Sequence, residues 1–144
     1  MSTVAFFGHR SYGYSAYRAK IKSIIIDLIE NHGATDFYNG FRGDFDKLCA
    51  EIVSGLKSFY PMIKNTLILS YHPLSDFVLP EYFDESAYLL DEPVPPKFAI
   101  TYTNRKIVDK ADFIVSGVML DSGGAWSACD YARRKKKTLI NIFE

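Results

Sequence analysis

The stretch Thr3-Val4-Ala5-Phe6-Phe7-Gly8-His9-Arg10 decides the fold class, because a short apolar run ends at a glycine and gives way to polar residues. A short run without polar interruption predicts a strand buried on both faces, as in parallel sheets. Over residues 14–31 the apolar side chains then recur mostly at helical spacing, which predicts an amphipathic helix. A strand followed by such a helix is the first half of a βαβ unit.

The rest of the chain repeats this alternation. Further strands are predicted over 36–40, 66–71, 112–119 and 138–143, and further helices over 44–59, 97–110 and 124–137. Segment 74–96 has no clear period, contains several prolines and is predicted to be a loop. The fold class is therefore α/β, one domain over 1–144, with a five-stranded parallel sheet between helices on both faces. With the first strand central, the strand order is 3-2-1-4-5.

Composition excludes several classes of function. The chain has 144 residues, 48% hydrophobic and 24% charged, as in ordinary globular domains. Its 17 basic and 17 acidic residues give zero net charge, so we expect neither general nucleic-acid binding nor membrane binding. No apolar run is long enough to span a bilayer, and the N-terminus lacks the pattern of an export signal. Two cysteines are too few for a disulfide framework, and a cytoplasmic protein is expected.

Three glycine-containing loops are predicted to meet at one edge of the sheet. In an open parallel sheet, ligands bind beyond the carboxyl ends of the strands, where the strand order reverses. The loops at that point are 8–13, 40–44 and 120–124, and the first two carry Arg10 and Arg42. Glycine lets a helix N-terminus approach an anion closely, and arginine adds bidentate hydrogen bonds to it. The alternative interpretation is that all three are ordinary tight turns between strand and helix.

Few side chains indicate catalysis or metal binding. His9 lies beside the predicted crevice, where it is either an acid–base group or, as we favour, a binding or structural residue. The three histidines and two cysteines lack metal-ligand spacing, so neither a metal nor another cofactor is expected. The basic run 133–137 is interpreted as the solvated end of a helix rather than a nucleic-acid contact.

Four short motifs resemble the SLOG superfamily, which includes DNA-processing protein A (Smf) and the lonely-guy phosphoribohydrolases. They are Phe7-Gly8-His9-Arg10, Tyr38-Asn39-Gly40-Phe41-Arg42-Gly43-Asp44-Phe45-Asp46, Asn104-Arg105-Lys106 and Ser122-Gly123-Gly124-Ala125-Trp126. The resemblance runs from about residue 4 to residue 142. It is nearest to a small single-domain branch found in Gram-positive bacteria and their phages.

The resemblance implies a Rossmann-like three-layer sandwich that binds a phosphorylated small molecule, either a nucleotide or an ADP-ribose-like derivative. The protein would then be a sensor, carrier or sponge for that ligand, and a homodimer or higher homo-oligomer is one expectation. The cleft lies at the carboxyl ends of the first and fourth predicted strands. Its expected ligand-binding residues are Gly8, His9, Arg10, Gly40, Arg42, Gly43, Asp44, Asn104, Arg105, Ser122, Gly123, Gly124, Trp126, Ser127 and Asp130.

The phosphoribohydrolases suggest an alternative function, hydrolysis of the N-glycosidic bond of a nucleoside monophosphate. Arg105 and Asp130 would then be the catalytic residues. The chain departs from that motif, because Trp126 replaces the third glycine, Asp130 replaces a glutamate and Ser122 replaces a proline. Binding is therefore the leading interpretation, and whether the protein is an enzyme stays open.

Two other interpretations remain at this level. One is that Arg105 simply pairs with Asp130 and the cleft is unused. The other is a protein-interaction module of phage or mobile-element origin, suggested by the aromatic and proline-rich segment 82–96.

Overall fold

A computed structural model of the chain describes residues 1–144 and has the predicted α/β architecture, with one sheet between two helical layers. The strands are β1 (Ser2–Gly8), β2 (Ala34–Asn39), β3 (Lys64–Leu69), β4 (Glu85–Tyr88), β5 (Phe113–Gly117) and β6 (Thr138–Asn141). The helices are α1 (Arg18–His32), α2 (Asp44–Leu56), α3 (Ala99–Lys110) and α4 (Gly124–Arg134), with short 3₁₀ turns at Ser15–Tyr17 and Pro96–Phe98. None of the helices combines the length and the apolar character needed to span a bilayer.

All strand pairs are parallel, and the strand order is β4-β3-β2-β1-β5-β6. The predicted order of the five strands is therefore confirmed, with β1 central and the order reversing between β1 and β5. Successive residues of β1 face opposite sides of the sheet. Val4 and Phe6 belong to the core under α1 and α2, while Ala5 and Phe7 belong to the core under α3 and α4. The Rossmann-like three-layer arrangement is confirmed.

The prediction that 74–96 is only a loop is wrong, because β4 lies within it and pairs with β3 at the edge of the sheet. The residue just before β4 fixes this pairing: the Asp84 carboxylate accepts the Asn65 backbone N–H at 2.8 Å and pairs with Lys57. Phe83 is buried in a third, smaller core. The strand β4 has only four residues and is stabilised by contacts with β3. A strand this short shows no periodicity that a sequence pattern can detect.

Several predicted helix boundaries shift, and α1 and α3 begin later than predicted, at Arg18 and Ala99. Gly43, not Asp44, is the N-cap of α2, and the helix ends at Leu56, which leaves Phe59 75% exposed. The last helix ends at Arg134, and Lys136 has a left-handed φ of 58° just beyond it. These changes do not move the strand ends that carry the predicted crevice.

Candidate functional site

A cavity of about 510 Å³ lies at the carboxyl ends of β1 and β5, where the strand order reverses. The loop after β1, the loop between β2 and α2, the start of α4 and two residues of α3 form its walls. Nine of the predicted ligand-binding residues line this cavity: Gly8, His9, Arg10, Arg42, Gly43, Asn104, Ser122, Gly123 and Gly124.

Arg42 is fixed in the cavity wall by two neutral side chains. Its Nη1 donates to Asn104 Oδ1 at 3.0 Å, and its Nη2 donates to the Ser70 hydroxyl. No carboxylate lies within ion-pair distance of its guanidinium. Burial lowers the pKa of Arg42 from its ordinary value, and the charge of Asp46 acts in the opposite direction. Gly40 lies behind this group, since a Cβ there would be 3.1 Å from Nη1.

The loop that carries Arg42 is held by hydrogen bonds from both of its ends. Asn39 Oδ1 accepts the Phe41 N–H at 2.7 Å, and Asp46 Oδ2 accepts the Arg42 N–H at 3.1 Å. These bonds stabilise Phe41 in a left-handed conformation with φ of 55°, which is costly for a side chain of this size. The edge of the Phe41 ring packs on Phe83, with ring centroids 5.1 Å apart. The backbone at Arg42 is therefore held in one conformation.

Asp46 is a buried carboxyl group in the same wall and is 9% exposed. Its Oδ1 has no hydrogen-bond partner, while Oδ2 accepts the Arg42 backbone N–H. Burial raises the pKa of Asp46 to about 6, although the Arg42 N–H and guanidinium favour the charged form. The group therefore titrates near neutral pH and changes the charge of the cavity wall.

The loop after β1 packs directly against the start of α2. The Asp44 N–H donates to the Arg10 carbonyl at 2.8 Å, and a Cβ on Gly43 would lie only 2.4 Å from the Arg10 Cα. This close approach requires glycine at 43 and brings Arg10 to the cavity. Gly8 has a similar constraint, because a Cβ there would be 2.2 Å from the Phe45 ring.

His9 joins two loops across the cavity floor. Its Nε2 accepts the backbone N–H groups of Met119 and Leu120 at 2.9 and 3.0 Å, so this nitrogen carries no proton. Its own backbone N–H donates to the Tyr14 hydroxyl at 2.8 Å. Burial lowers the pKa of His9, which also favours the neutral ring. The geometry agrees with a structural role in positioning the loop after β5.

The remaining predicted residues lie outside the cavity. A second groove of about 480 Å³ between α3 and α4 is lined by Arg105, Trp126, Ser127 and Asp130 and adjoins the first at Asn104 and Gly124. Gly40 and Asp44 line neither space. Of the three arginines expected in the cleft, Arg10 and Arg42 line the cavity, while Arg105 lies in the adjoining groove.

The pairing of Arg105 with Asp130 is also wrong. Asp130 pairs with Arg134 one helical turn away, with Oδ2 and Nη2 3.1 Å apart. The Arg105 guanidinium instead lies over two rings, 5.8 Å from the Tyr102 centroid and 5.6 Å from that of Tyr131. Opposite charges at a helical spacing of four explain the first contact, and stacking on aromatic faces explains the second.

Two residues important to the site were not among those predicted. Asp46 follows the N-cap by three positions, where an acidic residue commonly reaches back to a free N–H, so the sequence did carry a signal for it. Ser70 holds Arg42 from 28 residues away along the chain, and only the parallel sheet brings the two together. No cluster of three or more His, Cys, Asp or Glu side chains is arranged to hold a metal ion.

The fold and the crevice together define a Rossmann-like domain with a cavity at its topological switch point. Solved structures with this fold include DNA processing protein A from Streptococcus pneumoniae, at 14% identity and a TM-score of 0.68 over 96% of this chain and 49% of that one. DNA processing protein A from Helicobacter pylori is 19% identical, with a TM-score of 0.64 over 96% of this chain and 63% of that one. The chain thus spans less than two thirds of either protein, and identities this low establish a shared fold. No family model and no curated protein matches the sequence.

The similarity to the H. pylori protein corrects the prediction about nucleic acids. The H. pylori structure is described as showing a unique single-stranded DNA binding mode. The expectation of no general nucleic-acid binding, drawn from zero net charge, is therefore contradicted. Net charge describes the whole surface, whereas nucleic-acid contacts depend on where the cations cluster.

Proposed function

We propose that the protein binds a nucleotide or a nucleotide-derived ligand, with a phosphate group in the cavity at the ends of β1 and β5. The observation that carries this proposal is the guanidinium of Arg42, held in the wall by Asn104 and Ser70 with no carboxylate within ion-pair distance, since Asp46 accepts the backbone N–H of Arg42 instead. Arg42 is half-buried, and a partly desolvated guanidinium without a direct ion pair is stabilised by an anionic ligand. Arg10 lines the same cavity and adds a second positive charge.

The start of α4 supplies further support for an anion. No side chain caps this helix and its first turn contains no acidic residue, so its first N–H groups remain available. Gly123 and Gly124 line the cavity at that point, and a Cβ on either glycine would meet no atom within 4 Å. Backbone N–H groups at a helix start and a nearby arginine are a common combination for phosphate.

The size and lining of the cavity favour a nucleotide over inorganic phosphate. A volume of about 510 Å³ lies within the range of small-molecule sites. Ile100 and Leu120 add apolar surface beside the charged groups. A protein of the same fold that is described as binding single-stranded DNA supports the same class of ligand. His9 accepts two backbone N–H groups, which favours a sensor, carrier or sponge over an acid–base enzyme.

The test is a thermal-shift and calorimetric screen of the purified protein against AMP, GMP, CMP, UMP, ADP-ribose and inorganic phosphate. A ligand present at a hundred times its Kd adds about 2.7 kcal/mol to the free energy of unfolding. We expect at least one nucleotide to bind more tightly than phosphate. The Arg42→Gln variant should bind it about 30-fold more weakly, because a charge-assisted hydrogen bond of about 2 kcal/mol is lost.

Arg18→Gln is the matched control, because Arg18 lies on α1 in an exposed ion pair with Glu51 and lines neither space. This variant should retain the affinity of the wild-type protein. If no nucleotide binds, or if Arg42→Gln binds as tightly as Arg18→Gln, the proposal is wrong.

The same incubations address hydrolysis. The Asp130 carboxylate is engaged by Arg134 and Arg105 is stacked on two tyrosines, which favours binding without cleavage. We therefore expect no free base by chromatography. Release of base that disappears in Asp130→Asn would establish the phosphoribohydrolase alternative instead.

A further inference from the structure

The groove between α3 and α4 continues directly from the cavity. Both spaces are lined by Ile100, Asn104 and Gly124, so a ligand can pass from one to the other without leaving the protein surface. Asn104 is the residue whose Oδ1 holds Arg42. Any group attached to a phosphate bound near Arg42 can therefore extend along this side chain into the groove.

The groove adjoins a row of aromatic rings and cations, of which Arg105 and Tyr131 line the groove itself. Phe98 stacks on Tyr102 with centroids 5.9 Å apart, and Arg105 lies between the rings of Tyr102 and Tyr131. Lys135 follows, with its Nζ 5.4 Å from the centroid of Tyr131. We call these five residues the aromatic–cation row. Phe98 and Tyr102 are 41% and 39% exposed, so ring surface is open to solvent.

Such a row has a specific chemical use. Nucleobases stack on aromatic side chains, and the guanidinium of arginine adds both stacking and attraction for the connecting phosphates. Trp126 lies on the α4 side of the groove and presents a further ring. Asp130 is the carboxylate in the groove lining, and because Arg134 pairs with it, it does not repel a phosphate.

We propose that the α3–α4 groove is a base-stacking subsite, and that the ligand consists of two nucleosides linked by phosphate. This inference rests on the proposed function, because the linking phosphate occupies the cavity beside Arg42. The first nucleoside remains in the cavity, and the base of the second stacks in the groove beside Arg105 and Trp126. A phosphodiester, as in an oligonucleotide, and a pyrophosphate, as in a dinucleotide, share this chemistry.

The experiment compares ligands that differ by one base or one linkage. AMP carries one nucleoside, 5′-phosphorylated ApA carries two joined by a phosphodiester, and diadenosine diphosphate carries two joined by a pyrophosphate. ADP-ribose has the pyrophosphate but lacks the second base. Trp126 is the single tryptophan in the chain, so its fluorescence reports on the groove alone, while calorimetry reports on total affinity.

We expect at least one two-base ligand to bind about tenfold more tightly than AMP and ADP-ribose and to quench Trp126, as stacking of one further base predicts. The linkage that gives the larger increase in affinity shows whether the ligand is an oligonucleotide, with a phosphodiester, or a dinucleotide, with a pyrophosphate. Arg105→Gln should remove the gain and leave AMP affinity unchanged. Arg133→Gln, an exposed cation of α4 that lines neither space, should keep the gain.

The outcomes separate this inference from the proposed function. If AMP binds in an Arg42-dependent way but neither two-base ligand binds more tightly, the groove is not a subsite and the cavity proposal stands. If the gain persists in Arg105→Gln, or is lost equally in Arg133→Gln, the stacking assignment is wrong. If no nucleotide binds at all, both proposals fail together.

Discussion

Two helices begin at the cavity, and their first turns are built in opposite ways. The start of α2 is closed: the Arg10 carbonyl accepts its first N–H, and Asp44 and Asp46 place two carboxylates in its first turn. The start of α4, which like that of α2 has no side-chain cap, has no acidic residue in its first turn, and Gly123 adopts a left-handed φ of 97° just before it. Both occupy equivalent places after a parallel strand, so the fold alone does not decide which one receives a ligand.

We call the loop 40–43 with the first turn of α2 the α2 wall, and the loop 118–123 with the first turn of α4 the α4 wall. The difference between the two helix starts indicates that these walls have different roles. Negative charge near the start of α2 is already supplied by the protein, which stabilises the helix and makes it unsuitable for another anion. The start of α4 has no such negative charge at its positive end, and Arg42 lines the same cavity from the loop before α2. We infer that the α2 wall holds a fixed geometry while the α4 wall accepts the anion.

The largest effect is expected from a methyl group added to the α2 wall. In Gly43→Ala the new Cβ would lie 2.4 Å from the Arg10 Cα, a backbone atom that cannot move without breaking the loop contact. We expect the free energy of unfolding to fall by about 3 kcal/mol, at the upper end of overpacking costs. Urea denaturation of the purified variant measures this change.

Gly124→Ala is the matched change on the α4 wall, where no atom lies within 4 Å of the added Cβ. Its stability should stay within about 0.5 kcal/mol of wild type, because alanine is also the better helix former. Equal losses in the two variants would show that the walls do not differ in rigidity.

The fold could be predicted well from the sequence because its strands are buried on both faces. Uninterrupted apolar runs such as 4–7 and 67–69, separated by amphipathic helices, leave few alternatives to a parallel sheet. The strand β4 escaped prediction because its stability comes from β3 and from Asp84, not from its own side chains.

The candidate site was predictable only where it follows strand ends. Gly8, Arg10, Arg42 and Gly123 lie at such ends, and all four line the cavity. Arg105 lies two turns into a helix, and from the sequence nothing distinguishes the side of α3 that faces the cavity from the side that faces α4. Its position depends on how α3 packs on α4, which is a tertiary property.

The free energy of unfolding is expected to depend on pH through Asp46 in the α2 wall. Burial raises the pKa of Asp46 to about 6, so the folded protein holds a proton there that the unfolded chain has already lost. Stability from this group is therefore highest near pH 4 and falls as the pH rises through 6, by about 2 kcal/mol between pH 4 and pH 7. Asp46→Asn should remove this pH-dependent contribution to the free energy of unfolding.

Chemical denaturation of the wild-type protein and Asp46→Asn at pH 4, 5, 6 and 7 measures the difference. The amide oxygen of asparagine can still accept the Arg42 N–H, so the slope against pH, not the absolute stability, is the quantity to compare. Parallel pH profiles would show that folding does not raise the pKa of Asp46.

A smaller loss than at Gly43 or Asp46 is expected at His9, which tethers the α4 wall through Met119 and Leu120. His9→Ala leaves two exposed N–H groups that water can satisfy, so stability should fall by only about 1 kcal/mol. Hydrogen exchange of these two amides should become faster, while exchange of the Arg42 amide, bonded to Asp46, should not change.

His9→Ala also tests how the stability of the α4 wall changes with pH. Burial lowers the pKa of His9, so below about pH 6.5 the unfolded chain takes up a proton before the folded protein does. Acid therefore weakens the His9 contact, whereas it favours the protonated Asp46 of the opposite wall. The difference in stability between the wild-type protein and His9→Ala should shrink as the pH falls from 7 to 5. A constant difference would mean that His9 holds the loop by packing rather than through its unprotonated Nε2.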